Sequence, residues 1–130
     1  MTPTILHFAL VLSISALALA PGLSAPETAA LMGLGALVGL GNAVWACIGI
    51  RGMAAGEDPP HWSDFWLYGV APTAVYLGLA GAAVALGCQA HWAVHATAAL
   101  SLALLFVGVR NAWDLITWMA PRAPDTGSKA

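Results

Sequence analysis

Val38-Gly39-Leu40-Gly41-Asn42-Ala43 returns 69 residues later as Val107-Gly108-Val109-Arg110-Asn111-Ala112. The same shift places Pro3-Thr4 on Pro72-Thr73. Alanine and leucine matches are common by chance in an apolar chain, so the Pro-Thr and Val-Gly-x-x-Asn-Ala matches carry most of the weight. The spacing predicts that the chain is a tandem duplication.

The composition indicates a membrane protein. Hydrophobic residues make up 60% of the chain, charged residues 8%, and the mean hydropathy is +0.82, which lies outside the range of soluble domains. Each copy, residues 3–52 and 72–121, is therefore expected to be a hairpin of two membrane-spanning helices. Parallel repeats are related by an axis along the membrane normal. The predicted fold is an all-α integral membrane four-helix bundle with a 2+2 arrangement.

The apolar stretches are long enough for four membrane spans, because about 20 helical residues cross a hydrocarbon core roughly 30 Å thick. Four spans and their connections use nearly all of residues 1–130, which predicts a single transmembrane domain with a short tail at 121–130. The predicted spans are 3–20, 28–50, 66–87 and 93–119.

The basic residues give an orientation. Four spans with this spacing put all of them toward one side of the membrane: Arg51, Arg110, Arg122 and Lys129. By the positive-inside rule, the N-terminus, the 51–65 connection and the tail are cytoplasmic. We expect a multi-pass protein of the cell membrane, the inner membrane in a bacterium.

Ionisable and amide side chains within the spans are candidate site residues, because polar groups are costly in hydrocarbon and usually face protein or water. Arg110 and Asp114 are expected to form an i,i+4 pair buried against other helices. Asn42 and Asn111 extend this intramembrane polar site. Two interpretations remain open, a pair that only fixes helix packing and a site for a ligand, an ion or a partner subunit. His7 is expected first at the membrane interface. It is also one of four further residues that could line this pocket: His7, Thr73, Tyr76 and Thr117.

Two further clusters attract attention. The 51–65 connection leads into a candidate interaction loop with two tryptophans on one helical face, comprising His61, Trp62, Asp64 and Trp66. Near the opposite side, Cys88, His91 and His95 are spaced as weak zinc or copper ligands. No fourth ligand is evident, so we expect no metal.

No catalytic, nucleotide-binding or cofactor motif appears, so we expect no cofactor and no enzyme activity. The function predicted first is an accessory or interaction subunit of an inner-membrane complex. The alternative is a small homo-oligomeric transporter or channel that uses the Arg110/Asp114 site. A redox protein would need a cofactor at His7 or at the loop histidines. The expected partners are the lipid bilayer and other membrane subunits or a second copy, and no nucleic acid.

The charge asymmetry makes a testable prediction. A reporter enzyme that is active only in the periplasm should be inactive when fused at Glu57, because that connection is expected in the cytoplasm. A fusion after Gln89, on the opposite side, should be active and serves as the matched control. Activity from the Glu57 fusion would contradict the orientation.

Overall fold

The computed structural model describes residues 2–53 and 62–119, which form four helices and no strand. The all-α prediction is confirmed. The helices are α1 (Thr2–Leu19), α2 (Ala25–Met53), α3 (Trp62–Gly87) and α4 (Ala93–Met119). His61, Glu57 and the tail at 121–130 lie outside the described residues.

Three of these helices are long and apolar enough to cross a membrane, namely α2, α3 and most of α4. The apolar part of α1, Thr4–Leu19, is shorter. Since a hydrocarbon core about 30 Å thick needs about 20 helical residues, the three long helices fit a multi-pass membrane protein.

Each helix packs against two neighbours. The contact between α2 and α3 is the most extensive, α4 lies beside α3, and α1 contacts both α4 and α2. The side chains between them form one apolar core: Leu10, Ile14, Met32, Ala36, Ala43, Tyr76, Leu79, Ala82, Ala83 and Leu104. Four of these ten residues are alanines, and such short side chains allow helix backbones to approach closely.

Glycines set the approach of α2 and α3. A Cβ added at Gly39 would collide with the ring of Tyr76, and one added at Gly69 would lie 2.5 Å from Cys47 Sγ. Toward the other end, a Cβ at Gly33 would lie 3.6 Å from that of Ala83. Close contact therefore runs along the whole antiparallel pair, with small residues alternating between the two helices.

A π-helical segment, Phe65–Val70, interrupts the start of α3, between the short α-helical turn Trp62–Asp64 and the long α-helical part Ala71–Gly87. Pro72 explains it. Proline has no N–H for the carbonyl four residues earlier, and its ring crowds that carbonyl. The widened turn relieves the crowding, and Ala71 N–H donates to the Trp66 carbonyl. The Thr73 hydroxyl donates to the Gly69 carbonyl at 2.7 Å, which satisfies this hydroxyl within its own helix.

Local hydrogen bonds fix the two short connections, residues 20–24 and 88–92, which lie at the end of the protein away from the π-helical segment. Glu27 in the first turn of α2 accepts from both the Ser24 backbone N–H and the Ser24 hydroxyl, at 2.8 and 2.7 Å. At the end of α3, Gln89 takes the left-handed conformation, with φ of 57°. Ala90 N–H then donates to the Ala85 carbonyl, which is the Schellman pattern of a helix C-terminus.

Two glycines on α2 provide a matched test of this packing. Gly39→Ala should lower the free energy of unfolding of the purified protein by about 1 to 3 kcal/mol, and with it the melting temperature, because overpacking displaces the Tyr76 ring. Gly41→Ala, with open space at its Cβ, should be neutral or stabilising by up to about 1 kcal/mol through helix propensity. Circular dichroism melts in detergent measure both. Equal melting temperatures would refute the close contact at Gly39.

Candidate functional site

The predicted intramembrane polar residues divide into an inward-facing pair and an outward-facing pair. Asn111 is buried and Asn42 is partly buried. The side chains of Arg110 and Asp114 are 48% and 33% exposed. The four residues therefore do not form one shared pocket.

Arg110 and Asp114 do form the expected ion pair, with Arg110 Nη1 at 2.5 Å from Asp114 Oδ1. The expectation that this chain buries the pair is wrong. Helix geometry gives the reason, since Leu104, Gly108 and Asn111 already occupy the inward side of α4. Position 110 is rotated about 100° from position 111 at 3.6 residues per turn, which places it on the outward side.

The depth of the pair follows from its position along α4. Arg110 lies 17 residues after the first residue of α4, or about 25 Å along the axis at 1.5 Å per residue. That is less than the roughly 30 Å thickness of a hydrocarbon core. Helical side chains lean toward the N-terminus of their helix, so Arg110 leans toward the membrane interior. The pair therefore lies near the C-terminal end of α4, with both side chains partly exposed on the surface of this chain.

Tyr68 connects the π-helical segment to this pair. Its hydroxyl donates to the Asn111 backbone carbonyl at 3.3 Å and lies within hydrogen-bonding reach of the Asp114 carboxylate. The widened turn at Phe65–Val70 places the Tyr68 side chain there, and π-helical turns are frequent at functional sites. A cavity of about 390 Å³ adjoins Tyr68 between α2 and α3. Its other lining residues are Trp45, Ala46, Gly49, Ile50, Met53 and Asp64.

A second polar centre lies between all four helices. The sequence offered His7 and Tyr76 only as possible lining residues of the Arg110/Asp114 site and did not predict their pairing. One hydrogen bond of 2.7 Å joins His7 Nδ1 and the Tyr76 hydroxyl, with ring centroids 5.6 Å apart. His7 is 1% exposed and Tyr76 is fully buried, so the expected interfacial position of His7 is wrong. The predicted repeat offered a signal, since positions 7 and 76 correspond in its 69-residue register.

The glycines that lie against His7 and Tyr76 also occupy positions 69 residues apart. Tyr76 on α3 lies against Gly39 on α2, and His7 on α1 lies against Gly108 on α4, where an added Cβ would be 3.5 Å from His7 Cβ. In the predicted 69-residue register, Gly39 corresponds to Gly108 and His7 to Tyr76. The two contacts differ in detail, since Gly39 faces the Tyr76 ring, whereas Gly108 faces the Phe8 ring and only the Cβ of His7.

Several interior polar atoms near this centre form no hydrogen bond within the described chain. They are His7 Nε2, Asn42 Nδ2, and Asn111 Nδ2 and Oδ1. Buried polar atoms are nearly always bonded, to protein or to water. Asn111 follows Gly108 by one turn and Asn42 follows Gly39 by one turn, so the asparagines lie toward the Arg51 end from the His7–Tyr76 pair. Together these groups supply donors and acceptors without a net charge.

The remaining candidates lie on the surface. Trp62 and Trp66 are 70% and 53% exposed, and Asp64 is partly buried. Arg51 at the end of α2 lies over the Phe65 ring at 5.5 Å, which ties α2 to this segment. His61 lies outside the described residues.

The weak metal-ligand pattern lies at the opposite end of the protein, and all three of its residues are exposed: Cys88, His91 and His95. Within residues 2–53 and 62–119, no three His, Cys, Asp or Glu side chains are grouped to hold a metal ion. The spacing of these residues therefore remains a sequence pattern without matching geometry.

The His7–Tyr76 pair predicts non-additive stability. Tyr76→Phe should destabilise the protein by about 1 to 3 kcal/mol because it leaves the buried His7 Nδ1 without a partner. His7→Leu should do the same to the Tyr76 hydroxyl. The double variant should recover much of the loss, because removal of both polar partners can be nearly neutral.

These variants form a double-mutant cycle. It is measured by thermal unfolding of the wild type, the two single variants and the double variant. Ser13→Ala is the control, since Ser13 is exposed and bonds only to a carbonyl of its own helix. Additive single effects would mean that the buried hydrogen bond does not couple α1 to α3.

Comparisons with protein-family models, curated proteins and solved structures gave no match for this chain. The roles of these residues are therefore argued from their geometry.

Proposed function

We propose that this chain is an interaction subunit of the inner membrane that assembles laterally through α4. It is a duplicated four-span bundle with both termini in the cytoplasm, and it has no catalytic role of its own. The observation that supports this most directly is the outward-facing Arg110–Asp114 pair within the span.

The surface beside that pair has the spacing of a helix-docking seam. The α4 outer face consists of Phe106, Val109, Trp113 and Ile116, which are 52–73% exposed. Their spacing of three, four and three residues is the heptad pattern by which helices pack along one another. Arg110 and Asp114 flank this face. In hydrocarbon alone a charged pair at this depth is costly, whereas a partner helix with a polar side chain would satisfy it.

The first half of the protein offers an internal comparison. Gly41 and Trp45 occupy the positions equivalent to Arg110 and Asp114, and both are exposed. A hairpin of this type therefore needs no charge at these positions in order to fold. The ion pair is specific to the second half, which supports a role in binding.

The duplication is supported by burial as well as by sequence. His7, Leu10 and Ile14 are the buried positions of α1, and their equivalents Tyr76, Leu79 and Ala83 are all buried in α3. A contact between two equivalent positions, here 7 and 76, is expected only on a two-fold axis. The axis would run along the membrane normal.

The second candidate function is a homo-oligomeric transporter or channel. The unbonded interior atoms of His7, Asn42 and Asn111 favour it, because polar groups inside a span frequently line substrate or ion pathways. In that case the α4 outer face would contact a second copy, and Arg110 and Asp114 would lie at the contact between copies.

Site-specific photo-cross-linking in cells tests the proposal. A photo-reactive phenylalanine analogue at Trp113 should give one discrete protein adduct, because that side chain is expected to contact a partner helix. The same analogue at Val44, its equivalent on α2 and also exposed, is the matched control and should contact lipid.

The ion pair determines the expected effect of variants. Asp114→Leu should abolish the adduct and reduce folded yield, because it leaves a cation unpaired. Arg110→Leu combined with Asp114→Leu should restore folded yield, since an apolar pair has no desolvation cost, but should still lose the adduct. An adduct with the mass of two copies would support the transporter instead. No adduct at either position would refute lateral assembly through α4.

A further inference from the structure

The geometry points to an acyl-chain binding groove between α1 and α4, distinct from the α4 outer face: we propose that one hydrocarbon tail of a membrane lipid occupies it. The groove encloses about 770 Å³, within the roughly 300 to 1,000 Å³ typical of small-molecule sites. It lies at the end of the protein that carries the 20–24 and 88–92 connections.

The cause of the groove is a difference between the two halves. A Cβ added at Gly33 on α2 would lie 3.6 Å from the Cβ of Ala83 on α3, so the two backbones are close there. Their equivalents are Leu102 on α4 and Ile14 on α1, which line opposite walls of the groove. Larger side chains thus stand on the α1–α4 side at the two positions where α2 and α3 carry glycine and alanine.

A small residue deepens the groove. Ser101 lines it, and the equivalent residue in the first half is Met32, which is almost fully buried. The second half therefore lacks the long side chain that the first half has at this position.

The lining is chemically suited to hydrocarbon. Besides aliphatic side chains it contains four hydroxyls, and three of them donate to a carbonyl of the preceding helical turn: Ser15 to Val11, Thr28 to Ser24 and Thr97 to Ala93. Such internal bonds satisfy a hydroxyl within its own helix. Only Ser101 Oγ among the four has no partner within the described chain.

The dimensions identify the occupant. The groove follows α4 from Val94 to Leu105, about 16 Å at 1.5 Å per residue. Half of a hydrocarbon core about 30 Å thick is about 15 Å, so the groove is as long as one leaflet is deep. It also opens outward, since Ser15, Val94 and Leu102 are exposed. A lipid tail in the adjacent leaflet can enter sideways without leaving the hydrocarbon.

A photo-reactive lipid tests this site. The probe is phosphatidylglycerol with a diazirine in the middle of one acyl chain, mixed into phosphatidylethanolamine vesicles that contain the full-length protein. Illumination followed by mass spectrometry should find labels concentrated on Ile14, Leu102 and Leu105. Leu37, which is 59% exposed on α2, reports the labelling of an ordinary lipid-facing position.

Ser101→Met introduces the first-half residue and should fill the groove. Loss of room for about two methylene groups should lower groove labelling roughly tenfold, with Leu37 labelling unchanged. Ser15→Phe, which blocks the groove from an exposed position, should have the same effect without altering the core. Ser13→Phe, on another side of α1, is the control and should leave groove labelling unchanged.

Ser101→Ala separates the proposed occupant from a polar one. It removes the unbonded hydroxyl and keeps the space, so binding of a hydrocarbon tail should persist. Loss of labelling in this variant would overturn the proposal in favour of a ligand with a hydrogen-bonding group. Equal labelling of Leu37 and Leu102, or groove labelling that is unaffected by Ser15→Phe, would also overturn it.

Discussion

The contact between Gly39 and the Tyr76 ring is the constraint on which the rest of this structure depends. It allows α2 and α3 to approach closely, and it directs the Tyr76 hydroxyl toward His7. That hydrogen bond attaches α1 to the α2–α3 pair at the centre of the protein. A larger residue at position 39 would displace the ring and separate α1 from its one buried polar partner.

Asymmetry between the halves accounts for the features of greatest functional interest. Close packing of α2 against α3 contrasts with the open groove between α1 and α4, although the same positions are involved. In the predicted register, Gly33 corresponds to Leu102 and Met32 to Ser101 at these positions. Likewise, Gly41 and Trp45 correspond to the charged pair of α4. On the proposed duplication, the two halves thus differ at a few exposed or lining positions.

Sequence alone located the helices well, because hydropathy over about 20 residues and the breaks at proline and glycine depend on local composition. It also predicted the Arg110–Asp114 pair, because i,i+4 spacing places the two residues on one side of a helix. It did not predict which side faces inward. A helix that is apolar all round has no periodic signal for orientation, so only the contacts of Gly108 and Asn111 with neighbouring helices reveal it.

The buried position of His7 could have been predicted only by combining the predicted repeat with a two-fold axis between its halves. In a molecule with a two-fold axis, two equivalent residues can touch each other only on that axis. The π-helical segment Phe65–Val70 precedes Pro72, and a proline within a span is visible in the sequence. The bounds of the widened turn have no such local signature.

The His7–Tyr76 hydrogen bond has a consequence for the history of the protein. In a dimer of two separate, identical chains, an axial position must pair like with like, histidine with histidine or tyrosine with tyrosine. A mixed pair, with each ring on its own helix, requires two coding positions that can change independently. On the proposed duplication, this central bond is therefore younger than the duplication itself, and an ancestral dimer of identical hairpins must have been held together without it.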